Sequence, residues 1–219
     1  QDKAVHPFTT HFGVGDVRIT TRVQPEYLGT ALFGTLHECG HASYELGVDP
    51  KYDRGTLAGG ASLAVHESQS RMWENLVGRS YPFWEHFYPR LQEFFPAQLG
   101  NVSLDAFYKG INRVQPSLIR VEADEVTYNL HIIIRFQIEQ KLFADRISVN
   151  ELPETWNQSY NELLGLEVQN DSEGVMQDTH WPSGYFGYFP SYALGNIYSG
   201  QFLDKIKDDI PNMRTQIAE

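Results

Sequence analysis

A mainly α-helical fold with one small β element is the class this 219-residue sequence predicts, and three observations carry it. Apolar residues recur at helical spacing through most of the chain, Pro and Gly interrupt that period at intervals, and β-branched residues alternate with polar ones over a strand's length near the start. No repeat, low-complexity tract or Ser/Gly linker intervenes, so residues 1–219 read as one continuous region.

The elements follow in order. Gly13-Val-Gly-Asp16 is a turn, and Val17 to Val23 alternates as a short strand. Pro25 suits the first turn of a helix; Leu28, Ala31, Leu32, Thr35, Leu36 and Cys39 keep its period until Gly47, which predicts a helix over about 25–46. Leu63, Ser70, Trp73 and Leu76 predict a second over about 60–77, stopped by Gly78. Tyr81 to Phe95 is aromatic and contains prolines, which predicts short helices joined by turns. Ser117 to about Asp145 has no Gly or Pro and carries Leu118, Val121, Tyr128, Ile132 and Phe136, the pattern of a long core helix. Pro153 opens another that Gly165 ends. A loop rich in Gly and aromatics from Gly174 to Pro190 precedes a last helix from about Ser191.

Composition sets outer limits. With 41% hydrophobic and 21% charged residues the chain can bury a sizeable core, which excludes disorder, collagen-like fibres and disulfide scaffolds. Seventeen Lys and Arg against 28 Asp and Glu give a net charge of −11, which repels phosphate backbones and anionic bilayers and argues against nucleic acid or membrane as partner. The longest apolar runs fall far short of the roughly 20 residues of a membrane span, no basic and apolar leader opens the chain, and the single Cys39 makes no internal disulfide, so the expected location is the cytoplasm. Gln1 in place of Met, and an end at Glu219 without a helix-stop signal, suggest a piece of a longer protein.

The chemistry concentrates in His37-Glu38-Cys39-Gly40-His41, the H-E-x-x-H pattern of zinc peptidases, inside the first predicted helix. Residues i and i+4 share a helix face about 6 Å apart along the axis, so both imidazoles can reach one ion at roughly 2.0–2.1 Å while Glu38 leans to its open side. Gly40 leaves the site uncrowded, and Cys39 is expected to face the core. A third ligand is needed, and Glu67 of His66-Glu67-Ser68-Gln69, on the second predicted helix, is the candidate. Glu45 and Glu74 are rivals by composition, but Glu45 lies two turns beyond His37 and Glu74 two turns beyond Glu67, so each falls out of reach if the other three bind. In the bland alternative the two histidines are simply hydrogen-bonded on a buried helix.

Beyond these, His6-Pro7-Phe8, Asp16-x-Arg18-x-Thr20, Ile119-Arg120-x-x-Ala123-Asp124, Gly174-x-x-Gln177-Asp178-x-His180-Trp181 and Gly187-Tyr188-Phe189-Pro190 occur in one order with the two ligand motifs. Together they resemble the carboxypeptidase Taq family of thermostable metallocarboxypeptidases. The resemblance implies a mostly helical zinc-peptidase catalytic region, with the small β element near a deep active-site groove and the metal at its floor. Members are longer, which implies that an N-terminal helical half and a C-terminal tail are missing here. Cys39, Gln115 and Gln137 depart from the family pattern, and none is a ligand.

The resemblance and the spacing agree on His37, His41 and Glu67 as ligands of one Zn²⁺ or Co²⁺ per chain, with Glu38 as general base for a metal-activated water. A free C-terminal carboxylate is best read by a bidentate guanidinium, for which Arg120 and Arg18 are candidates. The family likeness favours Arg120 as the anchor and Arg18 as a groove contact limiting substrate length; the alternatives are an ion pair of Arg120 with Asp124 and an ordinary strand-edge role for Arg18. His180 and Tyr188 are candidates to donate to the oxyanion; packing alone is the alternative for Tyr188, and holding the loop through Asp178 for His180. His66 is expected to orient Glu67 or a neighbour. The expected activity is removal of single C-terminal residues with broad preference, by analogy as a homodimer; an oligopeptidase or endopeptidase of the same group and a catalytically silent fragment are the rivals.

Overall fold

The computed structural model describes residues 1–219, and contacts within it divide the chain into two compact units: Gln1–Asn112 with Leu194–Glu219, and Arg113–Ala193. Each is described by itself.

The first unit begins with the β element, which has three strands where the sequence advertised one. β1 (Asp2–Lys3) and β2 (Thr9–Gly13) flank β3 (Asp16–Thr21), parallel and antiparallel respectively. Thr9 pairs with Ile19 and Thr10 with Arg18. Because successive side chains alternate, Thr9 and His11 share one face of β2. β1 and β2 escaped the sequence reading because neither carries an apolar alternation long enough to register.

Helix α1 runs Leu28–Leu46, three residues later than predicted, because Pro25 sits in a turn closed by Tyr27 N–H on the Gln24 carbonyl. Helix α2 (Leu63–Arg71) starts where the Ser62 hydroxyl accepts from Val65 N–H, and its continuation over Met72–Val77 widens into a π-helical turn. The expected chain of short helices is one helix, α3 (Tyr81–Phe94): Ser80 caps it, Pro82 fits its first turn, and Pro89 removes one backbone bond from an element already held by aromatic packing. Phe33, Trp84 and Tyr88 form the core there, with Leu36, Phe107 and Ile111 against them. Helices α4 (Pro96–Leu99) and α5 (Leu104–Ile111) complete this part.

In the second unit the long predicted helix is divided. Asp124 accepts from Val126 N–H, Thr127 N–H and the Thr127 hydroxyl, and this local bonding competes with a continuous helix. A single 3₁₀ turn at Arg120–Glu122 is left, and helix α6 starts at Tyr128 and ends at Phe143. Helix α7 (Leu152–Leu164) ends at Gly165, whose φ of 68° no β-branched residue would tolerate. Ile134, Ile138, Trp156, Tyr160 and Leu164 are the core between α6 and α7. Residues 174–189 are loop, as the composition predicts, and helix α8 starts at Pro190; it runs to Asp209, so that most of α8 and all of α9 (Met213–Ile217) belong to the first unit. No helix is long and apolar enough to cross a membrane.

Candidate metal centre

The first unit brings His37 and His41 of α1 and Glu67 of α2 together, one donor atom from each lying within 4.8 Å of the others. His37 Nε2 is 3.8 Å from Glu67 Oε1 and His41 Nε2 is 3.5 Å from Glu67 Oε2. Ligands at 2.0–2.1 Å in a tetrahedron stand about 3.4 Å apart, so these separations fit one divalent ion. Glu67 Oε1 is buried without a hydrogen-bond partner, an acceptor that a cation would satisfy. The donor set, two imidazoles and a carboxylate, suits Zn²⁺ or Co²⁺.

Close helix packing makes the cluster possible. A Cβ on Gly40 would lie 2.5 Å from the Gln69 carbonyl oxygen and 2.6 Å from Ser70 Cα, so only glycine lets α2 approach α1 this far. From the other side a Cβ on Gly195 of α8 would meet Glu67 Cγ at 2.8 Å. Glycine thus permits the close approach of α1 to α2 and of α8 to Glu67.

The far nitrogens of both histidines are engaged. His37 Nδ1 meets Glu74 Oε2 at 2.9 Å, and Arg71 Nη1 donates to the same oxygen at 2.9 Å while its Nε donates to Asn196. Burial opposes ionisation of Glu74, but Arg71 and His37 outweigh it and hold its carboxyl down at about 2. Burial likewise opposes charge on His37, yet Glu67, Glu74 and Glu38 raise it to about 9. His41 is held neutral, down to about 2, by burial and by the neighbouring His37 and His66. Its Nδ1 lies 2.6 Å from His66 Nδ1, and His66 Nε2 lies 2.6 Å from Glu45 Oε1. Glu45 and Glu74, set aside as ligands by their spacing, serve the ligands from behind.

Glu38 is buried next to the cluster. The Thr9 hydroxyl of β2 donates to Glu38 Oε2 at 2.6 Å and approaches its backbone oxygen at 3.1 Å. Burial raises the Glu38 carboxyl above its ordinary value, offset in part by His37 and the Thr9 hydroxyl. The sequence reading missed Thr9, since its role depends on a strand pairing with no local signature. Cys39 is half-buried.

Arg120, His180 and Tyr188 lie in the second unit. Arg120 donates through Nε and Nη2 to Asp178 Oδ1 at 3.0 and 2.7 Å and through Nη1 to the Tyr128 hydroxyl at 2.9 Å. Its ion-pair partner is Asp178, not Asp124, whose oxygens cap the chain at Thr127. Arg135 donates to the other Asp178 oxygen and to Gln177 Oε1. Burial opposes the Asp178 charge, but the two guanidiniums hold its carboxyl well below the ordinary range. Two guanidiniums share one carboxylate, so the cluster retains a buried positive charge. His180 Nε2 meets the Tyr192 hydroxyl at 3.0 Å, and the His180 and Tyr188 rings are 5.2 Å apart. Glu139 accepts from Trp181 Nε1 and Gly187 N–H, tying together the loop that precedes Tyr188. Arg18, by contrast, is an exposed side chain of the first unit, bound through Nε and Nη2 to Asp16 at 2.8 Å each. The side chains of Arg18 and Arg120 are 64% and 4% exposed.

A family-level match to carboxypeptidase Taq (M32) metallopeptidase spans residues 1–219. The chain is 53% identical over 218 residues to thermostable carboxypeptidase 1 of Thermus thermophilus and 51% identical over 210 residues to carboxypeptidase 1 of Bacillus subtilis, covering 99% and 96% of this chain. It spans 42% of the length of each of those relatives. The crystal structure of an M32 carboxypeptidase from Deinococcus radiodurans R1 superposes with a TM-score of 0.93 at 44% identity, over 99% of this chain and 44% of that one. With its whole length matched and its helices superposing on a solved member, the chain belongs to the carboxypeptidase Taq (M32) family of metallopeptidases.

Proposed function

We propose that this chain carries the catalytic centre of a metal-dependent carboxypeptidase, which hydrolyses the last peptide bond of a substrate with a free C-terminus and releases single amino acids with broad preference. The observation that carries this reading is the His37, His41 and Glu67 cluster, with a bare buried Glu67 oxygen and Glu38 beside it. When bound, one Zn²⁺ or Co²⁺ per chain supplies the Lewis acidity that polarises a peptide carbonyl and lowers the pKa of water toward about 7.

The chain's own residues do the rest. Glu38 takes the proton of the attacking water and hands it to the leaving amine, and the Thr9 hydroxyl fixes the carboxylate that does so. The histidine and tyrosine at 180 and 188 donate to the oxyanion, an arrangement supported by the tied loop that presents them. Arg120 reads the substrate carboxylate. Asp178 and Tyr128 hold its guanidinium rigid while leaving two of its five N–H groups, and the excess positive charge it shares with Arg135 calls for an anion. Arg18, exposed on β3, is a further contact limiting substrate length. Residues 1–219 act as one catalytic region on this reading, in the cytoplasm and, by family analogy, within a homodimer of the longer protein; the net charge of −11 supports the absence of nucleic-acid and membrane partners.

The test is release of free amino acid from an N-blocked peptide after chelation and after return of Zn²⁺ or Co²⁺. Metal-restored release is expected, and its loss in Glu38→Gln with metal retained identifies the base; loss of metal along with activity would remove that assignment. His41→Ala releases the metal. A C-terminal amide on the peptide abolishes cleavage if a guanidinium reads the carboxylate, and equal cleavage of amide and acid makes the protein an endopeptidase. Metal bound without any release makes residues 1–219 catalytically silent by themselves.

A further inference from the structure

His41 is oriented differently from His37. A carboxylate meets His37 Nδ1 directly, whereas His41 Nδ1 faces another imidazole, His66, and only His66 faces a carboxylate, Glu45. Two imidazole nitrogens 2.6 Å apart need one donor and one acceptor, and the pair alone does not decide which is which.

Glu45 decides it. A carboxylate accepts only, so His66 Nε2 carries the hydrogen at its 2.6 Å contact with Glu45 Oε1. Read as a ligand, His41 offers the lone pair of Nε2, the atom facing Glu67 at 3.5 Å, and so carries its hydrogen on Nδ1, which donates to His66 Nδ1. The intermediate ring is closely packed: it sits edge-on against Tyr44 at 5.1 Å, and a Cβ on Gly60 would come within 2.6 Å of His66 Cδ2, so only glycine backbone fits beside the imidazole. Glu45 is buried, follows His41 by one turn on α1, and its other oxygen lies 3.8 Å from His11 Nε2 on β2.

We propose that Glu45, acting through His66, is a positioning residue for the metal: the relay from His41 through His66 to Glu45 fixes the tautomer and ring plane in which His41 offers Nε2. The proposal rests on the reading of His37, His41 and Glu67 as ligands. Adjacent residues of α2 then serve the site in two ways, Glu67 as ligand and His66 as the link that orients another ligand. Partners of this kind are worth 10–100-fold in metal affinity.

The experiment measures Zn²⁺ affinity by chelator competition in the unaltered protein and in Glu45→Ala, His66→Phe, the double variant and Glu45→Gln, with the His41 tautomer read by long-range ¹H–¹⁵N NMR. Each single variant is expected to lose about 10–100-fold in affinity, and the double variant no more than either single, because both cut one relay. Glu45→Gln, whose amide oxygen still accepts from His66, is expected to keep affinity within about threefold and to keep His41 as the Nδ1–H form, which a merely structural loss would not predict. Unchanged affinity in the single variants, fully additive losses, or a His41 tautomer that ignores Glu45 would each overturn the relay. If Glu45→Ala does not fold, His66→Phe and Glu45→Gln carry the same decision. Absence of Zn²⁺ binding by the unaltered protein would instead remove the ligand assignment beneath it.

Discussion

A general base is only as good as its orientation, and Glu38, proposed for that role, is held by a hydrogen bond from Thr9, a residue on a neighbouring strand. Thr9→Val keeps the shape and removes the hydroxyl. Because the Thr9 hydrogen bond favours ionised Glu38, its loss raises the carboxyl further, and the acid limb of kcat/KM should move to higher pH with bound metal unchanged. A pH–rate profile of the two proteins checks it; superimposable acid limbs would deny Thr9 the role. At this scale the clustered His37 and His41 and the glutamate between them were legible, since i, i+4 spacing on a helix is a local property that H-E-x-x-H spells out. Their supports were not. Glu45 and Glu74 stood out by type and failed by spacing as ligands, and only coordinates show that each backs a ligand. For Arg120 the near candidate, Asp124, lost to one 58 residues away, because Asp124 spends its oxygens on the start of α6.

At the scale of elements, the approach of α1 to α2 decides whether three ligands converge. Gly40→Ala inserts a methyl against backbone atoms at 2.5 and 2.6 Å, where no side chain can swing aside. It should cost about 1–3 kcal/mol and weaken metal binding, read as a lowered Tm and a raised Kd in chelator competition. Gly195→Ala meets the side chain of Glu67 and should disturb the metal with less loss of stability. A Gly40→Ala protein of native Tm and metal affinity would show that the helices are free to part. Helix positions were readable from period and glycine stops, as at Gly47 and Gly165, whereas the flanking strands, the unbroken α3 and the divided 117–145 segment were not. In α3 aromatic packing outweighs Pro89, and at Asp124 side-chain bonding outweighs helical propensity; neither balance is local.

Across the molecule, the second unit encloses ionisable groups whose protonation should set its acid stability. Buried His131, opposed by desolvation and by Arg135 and Arg120, stays neutral down to about 3, while its ordinary value is 6.5. Between those values the unfolded chain binds a proton that the folded chain does not, so stability falls as pH drops below about 6.5. Asp178, depressed by its guanidiniums, adds a second loss below its ordinary value of 3.8, where the unfolded carboxyl protonates first. Urea unfolding between pH 7 and 3, followed by tryptophan fluorescence, should therefore show a midpoint declining from about pH 6.5 and steepening below about 4. Asp178→Asn should flatten the lower part and cost about 3–5 kcal/mol at neutral pH, since it leaves two buried guanidiniums short of an anion. A flat midpoint down to pH 4 in the unaltered protein would mean that His131 is not held neutral. By itself the sequence determined the helical class and the family, and it put forward the candidate ligand triad and the proposed base, because helix period and motif spacing are properties of neighbouring residues. Only the tertiary structure decided what stands behind those residues: the strand that holds Glu38, the carboxylates behind His37 and His41, and the aspartate shared by Arg120 and Arg135. Those partners are set by which buried polar groups meet across elements, where an unpaired group is too costly to leave, and nothing in the local order of residues records that choice.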